Sequence, residues 1–220
     1  MDSNNNKTNL INKTCKELRV YLTGYGPFMD VTDNPSQALV NAIIKEKSEI
    51  EKDIGISIVY NDILNVNTTH VDETIPKCYD IINDSITKEN NVIHFITHFG
   101  VNSKETNIRL EKISKNCIKD SKDPERPIVT SQCTNLYCKL DLESMKDNLE
   151  KLGHNVVVSV DAGNYLCNYV YFKSNLNYDI NDRVIPIFIH IPTIENINTE
   201  KLKLFYIDFL KVLKKEIISC

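Results

Sequence analysis

Cys167 and His190 are the residues whose types and settings best suit chemistry. Cys167 lies within SVDAGNYLCNYVYF, residues 159–172, where the period of the apolar residues changes. Before Asp161 the run VVVSV has strand character, and after Gly163 the aromatic and aliphatic residues recur at helical spacing. The intervening Asp-Ala-Gly predicts a tight turn and a helix starting at about Asn164, with the thiol in its first turn. Unpaired N–H groups and the helix dipole favour a thiolate there. The same N–H groups suit an oxyanion formed when that sulfur attacks a carbonyl. Against this stands the ordinary fate of a free cysteine, a small buried hydrophobe.

His190 ends the apolar run VIPIFIH and is followed by Ile191-Pro192. In open α/β sheets, sites collect beyond the C-terminal ends of strands. A histidine and a cysteine that each follow a strand therefore form a candidate thiolate–imidazolium pair. A third group should orient the imidazole and balance its charge. Glu111 is the first candidate, because it follows Ile108-Arg109-Leu110 in an otherwise apolar stretch where an unpaired carboxylate is costly. Asp161 is the rival, better read as a turn or helix N-cap residue.

Metal and nucleotide chemistry find less support. His94 and His98 are four apart, but they fall in a strand-like run with no acidic partner in a zinc pattern. Cys133 and Cys138 are five apart and do not form C-x2-C. GYGPF (24–28) lacks both the third glycine of a dinucleotide fingerprint and the Gly-Lys-Ser/Thr of a phosphate loop.

The elements that must position these residues alternate. LRVYLT (18–23), ISIVYND (56–62), NVIHFITHF (91–99), NVVVSV (155–160) and RVIPIFIHI (183–191) read as strands. The 91–99 run has the pattern of a strand buried on both faces. Helices are expected from Pro35 to about Lys47, over 69–87 with Pro76 kinking or restarting the helix, over 141–153 with Gly153 as its stop, around Cys167, and from about Thr199. TNIRLEKISKN (106–116) alternates imperfectly, and 119–139 reads as a long excursion outside the core. Strands alternating with helices predict an α/β layered sheet. With no internal repeat and no linker, residues 17–220 are expected to form one domain behind a polar, Asn-rich, disordered tail over 1–16.

Composition excludes several classes. The 220 residues suffice for a full core, and a net charge of −4 points to neither nucleic acid nor an anionic membrane. No run of 18 apolar residues is present. Seven irregularly spaced cysteines do not suggest a disulfide framework, so reduced thiols in the cytoplasm are expected. The basic face of the C-terminal KLKLFYIDFLKVLKKEI is read as the solvated side of a docked amphipathic helix.

Four segments in series resemble one family. TGYGPF with the following NPS (23–28, 34–36), IRLEKISKN around Glu111, DAGNYLCNYVYF around Cys167 and FIHIP around His190 resemble pyroglutamyl-peptidase I, the pyrrolidone-carboxylate peptidases of peptidase family C15. The resemblance spans roughly residues 18–217, and SQCTNLYC (131–138) looks more like the animal-type members. It implies a three-layer α/β/α sandwich with a twisted, mostly parallel sheet. The implied activity is removal of N-terminal pyroglutamyl (5-oxoprolyl) residues from peptides, without cofactor or metal. Cys167 would be the nucleophile, His190 the base and acid, and Glu111 the orienting acid. Tyr25 and Phe28 match aromatics that help form the slot for the pyroglutamyl ring. Two departures stand out: members commonly carry Phe in place of Tyr25, and many carry Trp in place of Gln37. The loop VNSKETN (101–107) also departs from the glycine-rich bacterial form and is expected near the substrate amide. The sequence leaves the oligomeric state open.

Overall fold

The computed structural model describes residues 17–28, 32–119, 125–130, 135–178 and 182–218. The predicted tail over 1–16, Cys15, Cys133, Cys220 and parts of the 119–139 excursion lie outside the described residues. In chain order the elements are β1 (Glu17–Tyr25), α1 (Pro35–Lys45), α2 (Lys47–Ile54), β2 (Ser57–Leu64), α3 (Thr68–Lys88) and β3 (Val92–Val101). Then come β4 (Ile108–Glu111), β5 (Ile113–Lys115), β6 (Asn135–Tyr137), α4 (Leu142–Lys151), β7 (Val156–Ser159), α5 (Leu166–Tyr178), β8 (Val184–Ile191) and α6 (Thr199–Ile218).

Local chemistry sets the helix boundaries. Asn34 caps α1 by accepting from Ser36 N–H, with Pro35 opening the first turn. Asn67 caps α3 through His70 N–H, and Asp141 caps α4 through Ser144 N–H. Gly55, at φ 70°, closes α2 in the left-handed conformation. The sequence did not foretell α2 as a separate helix, since its weak pattern carries only Ile50 and Ile54 into the core. Nor does Pro76 restart α3. The helix runs through it, because Pro76 lies on the solvent face, where the backbone group it leaves unpaired can reach water.

Six strands form one sheet in the order β2-β1-β3-β8-β4-β7, and β5 and β6 form a small antiparallel ladder. The β1–β2, β1–β3 and β3–β8 pairs are parallel. The β4 strand is antiparallel to β8 and parallel to β7, so two of the six strands oppose the rest. The sequence argument had Cys167 and His190 following strands that end at a common edge. Because β7 runs opposite to β8, Cys167 instead reaches the site through the 160–165 turn, which leads into α5.

Side-chain alternation assigns the layers. Leu18, Val20, Leu22, Phe95, Phe99, Ile187 and Ile189 face one cluster, which they share with Leu39, Met145, Phe205 and Phe209 from α1, α4 and α6. Tyr21, Tyr25, Ile96 and Phe188 face the other, with Val71, Ile75 and Ile82 of α3 and Val170 and Tyr171 of α5. The architecture is the expected α/β/α sandwich. At its centre, β3 and β8 are buried along almost their whole lengths.

Candidate active site

The site is built where β8 lies between β3 and β4. Gly100 of β3 pairs with His190 of β8, and Arg109 of β4 pairs with His190 from the other side. His190 shares the α3/α5 face with Phe188, whose ring lies 4.6 Å from the imidazole, centroid to centroid. Glu111, two residues beyond Arg109, projects to the same face. His190 Nδ1–H donates to Glu111 Oε1 at 2.8 Å. Glu111 is fully buried and His190 is 6 % exposed, so the pair lies out of water.

The thiol comes from α5. Its first intrahelical bond runs from Tyr169 N–H to the Tyr165 carbonyl, which places Cys167 in the opening turn, with helical residues starting at Leu166 rather than Asn164. Asp161 makes the turn that precedes it, accepting from Gly163 N–H at 3.0 Å and from Lys115 Nζ at 2.8 Å. Gly163 sits at φ 79°. Asp161 is thus the turn residue the sequence suggested, and its exposed carboxylate bonds Lys115 rather than His190.

Cys167 faces the imidazole closely enough for the two groups to interact electrostatically. Nδ1 is engaged by Glu111, so Nε2 is the nitrogen left for the thiol. Burial alone would pull the His190 imidazolium down, but the facing Cys167 and Glu111 outweigh it and raise its pKa from 6.5 to about 9. The close approach of sulfur to the sheet depends on Gly100. A Cβ there would fall 2.9 Å from Cys167 Sγ and 2.6 Å from Phe188 Cζ.

Several residues that the sequence argument passed over hold this arrangement. Tyr171, four residues after Cys167 on the same helix face, donates its hydroxyl to the Glu111 carbonyl at 2.8 Å. Helix α5 therefore carries the thiol and also steadies the strand bearing the carboxylate. Asn168 is fully buried; it accepts from Lys115 N–H and donates to the carbonyls of Lys115 and Cys117. Deeper along α5, Ser174 Oγ lies 2.7 Å from His98 Nε2, and Thr23 Oγ1 lies 2.7 Å from His98 Nδ1. Burial drives the His98 pKa down to about 3, so this ring is a neutral strut. The i, i+4 spacing of Tyr171 from Cys167 was a usable signal; the Asn168 and His98 bonds left none, because their partners are distant in sequence.

The glycine-rich loop and the Asn-Pro-Ser segment form one knot. Ser36 Oγ accepts from Tyr25 N–H, Asn34 Nδ2 donates to the Gly26 carbonyl, and Ser36 Oγ donates to Asn34 Oδ1. Gly24 is needed because a Cβ there would meet the Ser36 carbonyl oxygen at 2.6 Å. Of the two candidate slot aromatics, Phe28 is 43 % exposed, whereas Tyr25 is buried with its hydroxyl on the Leu166 carbonyl. The 101–107 loop starts beside the end of β8, where Asn102 N–H donates to the Ile191 carbonyl.

His94 Nδ1 lies 2.9 Å from the Tyr21 hydroxyl. Among the described residues, no group of three or more His, Cys, Asp or Glu is placed to hold a metal ion, and no helix is long and apolar enough to cross a membrane.

A part-buried thiol, an imidazole and a buried carboxylate in series, on an α/β/α sandwich, are the constellation of a cysteine hydrolase. Comparison with known proteins narrows the class. The profile of the pyroglutamyl peptidase family, C15, matches residues 18–206, and the chain belongs to this family of cysteine peptidases. Human pyroglutamyl-peptidase 1 is 30% identical over 183 residues, covering 79% of this chain and 78% of that protein. The pyrrolidone-carboxylate peptidase of Pyrococcus furiosus is 27% identical over 165 residues, covering 71% and 72%. The crystal structure of pyrrolidone carboxyl peptidase from Fervidobacterium islandicum superposes with a TM-score of 0.69, at 23% identity, over 90% of this chain and 99% of that one. That likeness establishes the fold.

Proposed function

We propose that the protein is a cysteine omega-peptidase that removes N-terminal pyroglutamyl (5-oxoprolyl) residues from peptides. Cys167 would be the nucleophile, His190 the acid and base, and Glu111 the orienting carboxylate. The observation that carries this reading is the position of His190, bonded to buried Glu111 on one side and facing Cys167 on the other. Family membership supplies the substrate class.

With its pKa raised to about 9, His190 holds a proton at neutral pH beside the Cys167 sulfur. The Cys167 thiolate attacks the pyroglutamyl carbonyl carbon, and the carbonyl π pair moves onto oxygen. First-turn N–H groups of α5, which have no intrahelical acceptors, receive that oxyanion. The C–N bond then breaks, and the His190 proton passes to the departing amine. Neutral His190 next takes a proton from water as the water oxygen attacks the thioester. Free pyroglutamate leaves, and the thiolate–imidazolium pair is restored. Glu111 keeps the ring oriented and balances the imidazolium throughout. The flat lactam needs an apolar wall, for which the exposed ring of Phe28 and the buried ring of Tyr25 are the candidates. The described Cys78, Cys117, Cys138 and Cys167 are all free thiols, in keeping with a reducing cytosolic setting.

The test is hydrolysis of a pyroglutamyl-coumarin amide, with dithiothreitol present, by wild type and Cys167→Ala side by side. Dye release by the wild type alone is expected. Equal release by both would remove Cys167 as nucleophile. Release by neither, with both folded, would leave a protein that binds modified N-termini without cleaving them.

A further inference from the structure

Glu111 is fully buried and satisfied on only one oxygen: Oε1 accepts from His190, whereas Oε2 has no hydrogen-bond partner among the described residues. Arg109 lies beside it. Its Nε is 3.7 Å from Glu111 Oε1 and is itself buried without a hydrogen-bond partner. The other two guanidinium nitrogens are anchored, Nη1 on Glu105 at 2.8 Å and Nη2 on Ser159 Oγ at 3.0 Å. Arg109 also pairs directly with His190 in the β4–β8 register. A cation is therefore held beside the carboxylate oxygen that orients the imidazole.

The charges show what this cation does. A thiolate, an imidazolium and a carboxylate sum to −1. In a water-poor site such an excess is relieved by binding a proton, which would quench the thiolate. One guanidinium brings these four groups to zero before Glu105, which is bonded to the same guanidinium, is counted, and a guanidinium cannot give up its proton. We propose that Arg109 is a positioning residue for the reaction: its fixed charge neutralises Glu111 and thereby keeps the Cys167–His190 pair in its reactive, charge-separated form. This rests on the assignment of those three residues to catalysis.

Other charged groups bear on the same site and are part of the argument. Glu105, on the loop before β4, is more exposed and partly offsets Arg109. Asp161, on the turn from β7, feels the Arg109 charge but is already paired with Lys115. From β7 itself the facing group is the uncharged Ser159. The α5 helix contributes Cys167, and β8 contributes His190.

The experiment follows the rate of Cys167 alkylation by iodoacetamide against pH, located by peptide mapping, in the full chain. Arg109→Gln should move the profile up by about one pH unit, the size expected for loss of a unit charge near a partly buried pair. Arg109→Lys should return it most of the way. Glu105→Gln should move it the opposite way, to lower pH, because it leaves Arg109 unopposed. Ser159→Ala, which loosens the clamp but keeps the charge, should leave the midpoint in place.

Profiles unmoved in both Arg109→Gln and Glu105→Gln would overturn the proposal, and would reduce Arg109 to a tie between β4 and β7. If Arg109→Gln does not fold, a Glu105→Gln profile that stays in place overturns it alone. Failure of the underlying assignment looks different, since the wild type itself would then show no preferential labelling of Cys167.

Discussion

The hydroxyl of Tyr25 donates to the backbone carbonyl of Leu166 at 2.7 Å, and Leu166 immediately precedes Cys167. The glycine-rich loop at the end of β1 is thereby tied to the first turn of α5, 141 residues further along the chain. A Phe at this place would lack the tie. The hydroxyl proton is committed to this carbonyl, so it is not free to donate to a bound ligand.

Tyr25→Phe removes that bond and little else. A buried neutral hydrogen bond contributes about 1 kcal/mol, so the variant should unfold about 2–4 °C below the wild type. The ring stays in place, so KM for a pyroglutamyl amide should change less than kcat. Thermal melts and initial rates check this. A raised KM with kcat intact would mean that the hydroxyl serves the substrate directly.

Gly100→Ala is a sharper perturbation. The added methyl falls within 3 Å of both Phe188 Cζ and Cys167 Sγ, and Phe188 is fully buried with nowhere to turn. Overpacking of this kind costs about 1–3 kcal/mol. Sulfur is the more movable neighbour, so the main effect is displacement of Cys167 from His190. A shift of about 1 Å in a reacting group costs roughly a hundredfold in rate. The variant should keep most of its fold by circular dichroism while kcat falls by about that factor. Unchanged kcat would show that the thiol does not need this approach to the sheet.

What the sequence revealed follows from the range of the interactions. The alternation of strands and helices, the turn before Cys167 and the apolar run ending in His190 are local, and each was legible. The cap at Asn34 and the stop at Gly55 are local as well, but they were not read, and the weak pattern of α2 hid the helix that Gly55 ends. The direction of β7 was not legible: two of six strands oppose the others, and strand direction is decided by pairing between distant segments. The contacts of Glu111 were likewise hidden. Its burial cost pointed to a partner, but only the antiparallel register of β4 on β8 brings Arg109 and Glu111 against His190. The Asn-Pro-Ser segment and the glycine-rich loop could be matched as motifs, yet the bonds between Ser36 and Tyr25 that give them a common purpose appear only in three dimensions.

His190 should leave a pH signature on stability. Its pKa rises from 6.5 to about 9 on folding, against the opposing pull of burial, because Cys167 and Glu111 face it. A group whose pKa is raised by folding stabilises fully below its unfolded value, and that contribution disappears as pH rises through the folded value. The urea midpoint of the wild type relative to His190→Asn should therefore be greatest near pH 6 and shrink progressively toward pH 9 and above. Groups that do not interact with His190 cancel in the difference. A difference that is flat across this window would mean that the ring does not hold its proton in the folded state.

Asn168 ties the opening turn of α5 to the chain around Lys115. Its side chain accepts one backbone N–H and donates to two carbonyls, all from the segment that continues past β5. None of these partners belongs to α5, so the three bonds hold the helix start against the strand segment that carries Glu111 at its other end. Asn168→Ala removes the partner of the Lys115 N–H and of the Cys117 carbonyl at a position with no exposure, while the Lys115 carbonyl keeps the Cys117 N–H. Each unsatisfied buried group costs about 1–3 kcal/mol, and partial relaxation brings the expected total to about 3 kcal/mol. Urea unfolding of the variant measures this loss. Activity should fall beyond the stability effect even under conditions where the variant is fully folded, because the first-turn N–H groups lose their fixed direction. A loss below about 1 kcal/mol with normal kcat would mean that the turn is held by the Tyr25–Leu166 bond and the Lys119–Asn164 backbone bond instead.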